Sequence, residues 1–231
     1  MRTLGIDLAA QAKGTYACVL EWSAGRARVE RLEGALDDPS LLAVLTDESL
    51  NTIGVDVPFG WPAGFVELMA GRGAFRSWSR DAARLRLRAT DHACKLISGK
   101  APLSVSSDRI AAPAMRWRIL RASVRCAVHE VYPAAALALW GLPHQAYKRP
   151  DQGEARRGIL DAIRVAIDLD ALSADAEVLV SSADALDALV ASMVARAIAL
   201  ELVHAVPAEH AELATIEGWI RLPSCTPDAL R

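Results

Sequence analysis

The order of apolar and polar positions divides the chain into a strand-rich beginning and a largely helical remainder. Residues 3–8 form a short apolar run that contains Asp7, and the loop 9–14 closes on the turn-forming pair Lys13-Gly14. Residues 15–22 are rich in β-branched and aromatic side chains. Ser23-Ala24-Gly25 then turns the chain into 26–32, where polar and apolar positions alternate, so three antiparallel strands are predicted. Residues 39–50 predict a helix, with Asp38 as its cap and Pro39 at its first position. The next strand, 52–57, is apolar on both faces and stops at P-F-G-W-P. A strand reached through a crossover helix is most simply parallel to the first, which makes both central in the sheet.

Beyond Trp61 the pattern becomes helical, with predicted segments at 65–70, 78–88 and 112–125. The chain returns to the sheet at 127–131, and Tyr132-Pro133 starts a helix over 134–140. Residues 154–168 are amphipathic. The longest predicted helix, 182–203, places Leu186, Leu189, Val190, Met193, Val194 and Ala197 at three- and four-residue spacing. No internal repeat or low-complexity linker interrupts the chain, so 1–231 reads as one α/β domain with a helical insertion at about 63–125.

Composition narrows the class. With 52% hydrophobic and 23% charged residues the chain fits a globular protein and excludes a disordered or collagen-like one. No apolar run reaches the roughly 20 residues of a membrane span, and Asp7 interrupts any secretory core, so a cytoplasmic protein with no membrane partner is expected. Cys18, Cys94, Cys126 and Cys225 lack metal-ligand spacing and read as reduced packing thiols. The net charge of −2 conceals an asymmetry: residues 72–125 carry 13 Lys and Arg against three Asp, a net +10, leaving −12 elsewhere. Phe75, Trp78 and Trp117 lie among these arginines. Such a mixture suits gripping phosphates and stacking on bases, although a solvated amphipathic helix pair has the same composition.

Three acids stand inside or at the end of runs that should be buried: Asp7 in L-G-I-D-L, Asp56 in I-G-V-D-V and Glu130 in V-H-E-V. A lone ionised carboxylate there is costly unless a cation or several hydrogen bonds compensate it. If the first and fourth strands are adjacent and parallel, Asp7 and Asp56 project from neighbouring carboxyl ends, the edge where open α/β sheets build sites. Asp184 and Asp187 lie one turn apart on the late helix. Asp184 also suits an N-terminal cap led by Ser181, whereas Asp187 sits beside the apolar stripe. Hard oxygen ligands without paired His or Cys point to Mg2+ or Mn2+. Two such ions activate water and stabilise the leaving oxygen in phosphodiester hydrolysis.

This order, three antiparallel strands with Asp7 on the first, a helix, a fourth strand with Asp56 and a late helix with D-x-x-D-A, resembles the ribonuclease H-like fold, and within it the crossover-junction resolvases. More closely, G-I-D-L-A, G-V-D-V-P-F-G-W-P, E-V-Y-P-A-A-A-L, the Tyr147-Lys148 pair, D-A-L-D-A-L-V-A and E-G-W-I resemble the DUF429 family, whose members are expected to be ribonuclease H-like nucleases. The resemblance runs from residue 4 to 223. It implies a mixed five-stranded sheet, three antiparallel strands followed by parallel ones, flanked by helices. It also implies that Asp7 bridges the metals, with Asp56, Asp184 and Asp187 as further ligands. Resolvases usually carry Glu on the fourth strand; the shorter Asp56 would shift an ion, and Glu130 is expected to compensate.

Secondary candidates follow from position. Lys148 is expected to offset charge in the transition state. Arg86, Arg88, His92 and, more weakly, Lys13 are expected to touch substrate phosphates, whereas His129 points away from Glu130 and reads as a packing residue. The leading expectation is a metal-dependent nuclease whose partner is DNA or RNA. An ATP-using phosphotransferase of the actin and sugar-kinase kind shares the fold but needs a second domain, and a non-catalytic nucleic-acid-binding module would have no need of the acids.

Overall fold

The computed structural model describes residues 1–106 and 108–231. Its centre is a six-stranded mixed sheet of order β5-β4-β1-β2-β3-β6. The strands β1 (Arg2–Asp7), β2 (Tyr16–Ser23) and β3 (Arg26–Gly34) form the antiparallel meander. On the other side of β1, β4 (Thr52–Asp56) and β5 (Val128–Glu130) pair in parallel. The sixth strand, β6 (Leu169–Asp170), adds in parallel to β3 and was not expected. Two residues give no alternation from which a strand could be read.

Between β3 and β4, α1 (Asp38–Leu45) is shorter than its pattern suggests. Its cap is Asp37, not Asp38: the Asp37 carboxylate accepts from the Ser40 amide at 3.0 Å. At the other end the Thr46 hydroxyl bonds back to the Leu42 carbonyl at 2.8 Å, and the helix stops there.

Helices cover both faces of the sheet. One face packs on α6 (Pro133–Leu139), α7 (Gly153–Ile167), α8 (Ser173–Ser181) and above all α9 (Ala183–Ala199), which is buried along almost its whole length. Among the described residues no single helix is long and apolar enough to cross a membrane. The helices α8 and α9 would pass such a test only together, and they meet at 110°.

The opposite face carries α1 and α5 (Asp108–Leu120). Among the described residues the insertion contains four α-helices where three were expected: α2 (Ala63–Met69), α3 (Trp78–Arg86), α4 (Ala89–Ser98) and α5. The predicted helix over 78–88 breaks because Leu87 is extended and Arg88 becomes the cap of α4, its amide donating to the Asp91 carboxylate at 2.9 Å. Trp117 of α5 is only 1% exposed and packs on Phe59 with ring centroids 5.2 Å apart, so it is core and not a stacking platform. Phe75 lies under the Arg84 guanidinium, and Trp78 alone of the three aromatic candidates stands in solvent, at 68% exposure. The last α-helix, α10 (Ala211–Glu217), packs on α4 and α2. All four cysteines are free thiols.

Candidate functional site

Two Gly-x-Asp sequences build the floor of the site. Gly5, Ile6 and Asp7 on β1 pair in register with Gly54, Val55 and Asp56 on β4, so Asp7 and Asp56 lie side by side at adjacent carboxyl ends, on the same face. On that face the glycines admit the backbone of α9. A Cβ on Gly5 would stand 2.1 Å from the Ala188 carbonyl oxygen and the Ser192 amide, and one on Gly54 would stand 2.7 Å from the Ala191 carbonyl oxygen. The helix is clamped there, since the Ser192 hydroxyl bonds to the Thr3 hydroxyl at 2.9 Å and to its carbonyl at 3.0 Å.

The contacts of Ser192 with Thr3 and of Ala188 with Gly5 show α9 running antiparallel to β1. Four residues of helix advance about 6 Å and two residues of strand about 6.6 Å, so the two elements stay in step for one more interval. That interval carries Asp184 toward Asp7 and Asp187 toward Asp56. Ser182, not Ser181, caps α9, accepting from the Ala185 amide at 3.2 Å. The acid three residues after Ser181 therefore makes no capping box, and Asp184 is left facing the cleft.

Asp7, Asp56 and Asp184 line a cleft of about 680 Å3, and Asp187 lies behind them, fully buried. Crowding and burial act on every charge. Asp7 is held well above the ordinary carboxylate range, first by desolvation and then by Asp187 and Asp56, with Lys148 opposing. Asp56 is pushed up to about 7 by desolvation, with Lys148 opposing it and Asp187 adding to it. Asp184 is raised for the same reasons, burial first and Asp187 second.

Lys148 is the cation of this cluster. Its Nζ lies 2.5 Å from Asp187 Oδ2, in a direction outside hydrogen-bonding geometry, so this buried oxygen has an ion-pair partner but no hydrogen-bond donor. The other oxygen, Oδ1, accepts from the Tyr147 hydroxyl at 2.6 Å. Burial disfavours the Lys148 charge, but Asp187, Tyr147, Asp56 and Asp7 outweigh it and hold the ammonium firmly protonated. The Tyr147 hydroxyl is likewise held far above its usual range, by desolvation and by Asp187, and stays a donor.

Arg156 fixes the loop that carries this pair. Its buried guanidinium donates to the carbonyls of Tyr147, Arg149 and Pro150 on one side and of Val180 and Ser181, at the entrance to α9, on the other. The sequence did carry a signal for it. Arg156 occupies the apolar stripe of α7 with Leu160, Ile163 and Ile167, where an aliphatic side chain is expected.

Glu130 lines the same cleft and its charge is felt by Asp56, but its carboxylate does not join the aspartates. It pairs with Val55, one residue before Asp56, so the pleat sends its side chain to the opposite face. There its oxygens accept from Arg88 Nη2 at 2.7 Å and Nη1 at 3.0 Å, and from the Phe59 amide at 3.0 Å. The expectation that Glu130 is a catalytic acid and metal ligand is thus corrected: its lone pairs are committed to a buried arginine. Arg88 is corrected with it. At 1% exposure it forks to Glu130 and Asp91 and is unavailable to a substrate phosphate.

Arg86, His92 and Lys13 are exposed, but none lines the cleft. Of the basic residues of the insertion, Arg88, Lys100 and Arg109 line it; Arg88 is committed to Glu130 and Asp91, and neither Lys100 nor Arg109 is ion-paired among the described residues. Nothing in their local sequence set them apart from the other cations of 72–125. His129 lies opposite Gly54, half-buried, its pKa lowered by burial and by Arg221, in keeping with a packing role.

As the side chains stand, no group of three or more His, Cys, Asp or Glu among the described residues encloses a metal position. The donor chemistry nonetheless suits a hard divalent ion: aspartate oxygens from three elements, with Lys148 as their cationic partner. Among known proteins, a family model described as "Protein of unknown function (DUF429)" matches residues 5–125 and 117–212. No curated protein and no solved structure matches the chain.

Proposed function

The chain belongs to the DUF429 family, whose description assigns no activity, and from the geometry of the cleft we propose that it is a divalent-metal-dependent nuclease. One observation carries this reading: Asp7 and Asp56 stand in register at the carboxyl edge of β1 and β4, beneath Asp184 and Asp187 of α9. Protonation of Asp7 and Asp56 is favoured first by desolvation, with the neighbouring carboxylates adding to it and Lys148 opposing. A divalent ion would enter such a cluster as the protons leave.

Asp7, Asp56 and Asp184 would hold Mg2+ or Mn2+, which when bound acidifies water and stabilises charge on a leaving oxygen. The protein supplies the rest. Lys100 and Arg109 would hold the phosphate backbone along the cleft wall.

The test is cleavage of single-stranded, duplex and branched DNA and RNA in Mn2+, comparing wild type with Asp7→Asn. The expected result is hydrolysis of at least one substrate and a loss of 100-fold or more, by order of magnitude, in the variant. Turnover that survives the substitution overturns the assignment. A second reading, a nucleic-acid-binding protein without turnover, is favoured by the Lys148–Asp187 ion pair, which leaves one of the four acids already neutralised. It predicts salt-sensitive binding to the same panel with no cleavage.

A further inference from the structure

The four aspartates are not equivalent. Asp7, Asp56 and Asp184 line the cleft, whereas Asp187 is fully buried behind them with both oxygens engaged, Oδ1 by the Tyr147 hydroxyl and Oδ2 by the Lys148 ammonium. An ion that used Asp187 would have to displace one of these partners. Neither is held casually. Tyr147 is 1% exposed, its carbonyl and those of Arg149 and Pro150 are gathered by Arg156, and the same guanidinium grips the carbonyls that lead into α9. The loop and the helix that carry the two halves of the ion pair are therefore fastened to one another. The Lys148 side chain is half exposed and lines the cleft, and its ammonium lies 2.5 Å from the fully buried Asp187 and 5.8 Å from the centroid of the Tyr147 ring.

We infer that Lys148 stands in place of a second metal ion, so that the site takes one divalent cation, held by Asp7, Asp56 and Asp184, while Asp187 serves as the anchor for the Lys148 ammonium. The inference rests on the metal-dependent reading above and replaces the pair of ions that the resemblance implies with one ion and one fixed organic cation. An ammonium supplies a localised positive charge and three donors but cannot acidify water as a metal does. The two cationic positions would then have different work. Water activation belongs to the side of Asp7 and Asp56, and charge neutralisation, by direct contact with a phosphate oxygen, to the side of Lys148.

The experiment is a titration of the intact chain with Mn2+ alone, at neutral pH, counting bound ions by the loss of the free-ion paramagnetic resonance signal. One ion per wild-type chain is expected. Lys148→Met, which keeps the aliphatic stem and frees Asp187 Oδ2, is expected to bind two, and Lys148→Arg to bind one. Two ions in the wild type, or one ion in both the wild type and Lys148→Met, overturn the inference and leave the metal-dependent reading standing. No ion in the wild type overturns both. Should Lys148→Met fail to fold, the wild-type count decides alone.

Discussion

Two groups of acids lie on opposite faces of the same sheet edge, and they differ in how their charge is answered. Around Arg88, the Glu130 and Asp91 carboxylates meet a guanidinium whose planar fork bonds to both, and that fork also reaches the Glu217 carbonyl at 3.1 Å. Glu217 in turn receives the amides of Ala63 and Ala89, at 2.7 and 2.8 Å, so β5, α2, α4 and α10 are sewn together at one closed point. Around Lys148, four aspartates share one ammonium, and three of them, Asp7, Asp56 and Asp184, are raised in pKa, first by desolvation and then by one another's charge. A closed network of this kind holds a fold together, whereas an open one that lines a cleft is where binding and chemistry concentrate.

Breaking the closed network should have the largest effect on stability. Arg88→Met removes a cation that is 1% exposed and strands Glu130 and Asp91 without it, for which a loss of about 3–5 kcal/mol is expected. Urea denaturation measures it directly. Adding Glu130→Gln to Arg88→Met should recover part of the loss, because one of the two stranded charges disappears. If Arg88→Met unfolds no more readily than the wild type, the contrast between the two groups collapses.

The open cluster should respond to pH in the opposite sense from an ordinary ion pair. Asp56 titrates near 3.8 when unfolded and is pushed up to about 7 in the fold, so between these values the folded chain holds the extra proton. Stability without metal should therefore fall as pH rises from about 4 to about 7 and level off above, and Asp56→Asn should flatten that slope. The expected gain for the variant at pH 8 is on the order of 2 kcal/mol, since one pKa unit corresponds to about 1.4 kcal/mol and the coupled acids share the shift. Thermal unfolding in a chelator-treated buffer across this range checks both parts. Adding Mn2+ should cancel the fall in wild type and leave the variant less affected.

Both groups announce themselves in the sequence in the same way, as acids inside apolar runs, and this sets the limit of what was legible. The sheet order of β1 to β4 followed from alternation, turn residues and one crossover. The pairing of Asp7 with Asp56 followed from that order, because parallel neighbours at matching Gly-x-Asp sequences have little freedom of register. Glu130 was misjudged because its face depends on whether it pairs with Val55 or with Asp56, a shift of one residue that the run V-H-E-V does not specify. Arg88 followed it into error. Among 13 similar cations, the one that folds inward is chosen by tertiary contacts with Glu130 and Glu217, far away in the chain. Lys148 was identifiable as a candidate, but the two partners that tie its neighbour Tyr147 in place, Asp187 and Arg156, come from separate helices.

The register between α9 and β1 offers a smaller and more local test. A methyl group at Gly5 meets helix backbone, which cannot rotate aside as a side chain would, so Gly5→Ala should push α9 from the sheet at a cost of roughly 1–3 kcal/mol. Displacing Asp184 and Asp187 together, it should also weaken Mn2+ binding although residue 5 touches no ligand. Ser192→Ala, which removes two bonds to Thr3 and adds no bulk, should cost about 1 kcal/mol and leave the metal affinity close to wild type.

The smallest effect on the fold should come from Lys100 and Arg109, and it separates the cleft most cleanly from the rest of the basic segment. Both line the cleft and neither is engaged in an ion pair with a described residue, so replacing either with Ala should change stability by less than about 0.5 kcal/mol. Nucleic-acid affinity is a different matter. For every phosphate that the variant no longer neutralises, the dependence of log affinity on log salt should weaken by about 0.7–0.9, whichever sequence is bound. Arg86→Ala, also exposed but outside the cleft, is the matched control, since it alters net charge equally without touching the proposed path. A salt slope that falls as much for Arg86→Ala as for Lys100→Ala would mean that the strand follows the insertion's outer surface, and the cleft would lose its claim to the substrate.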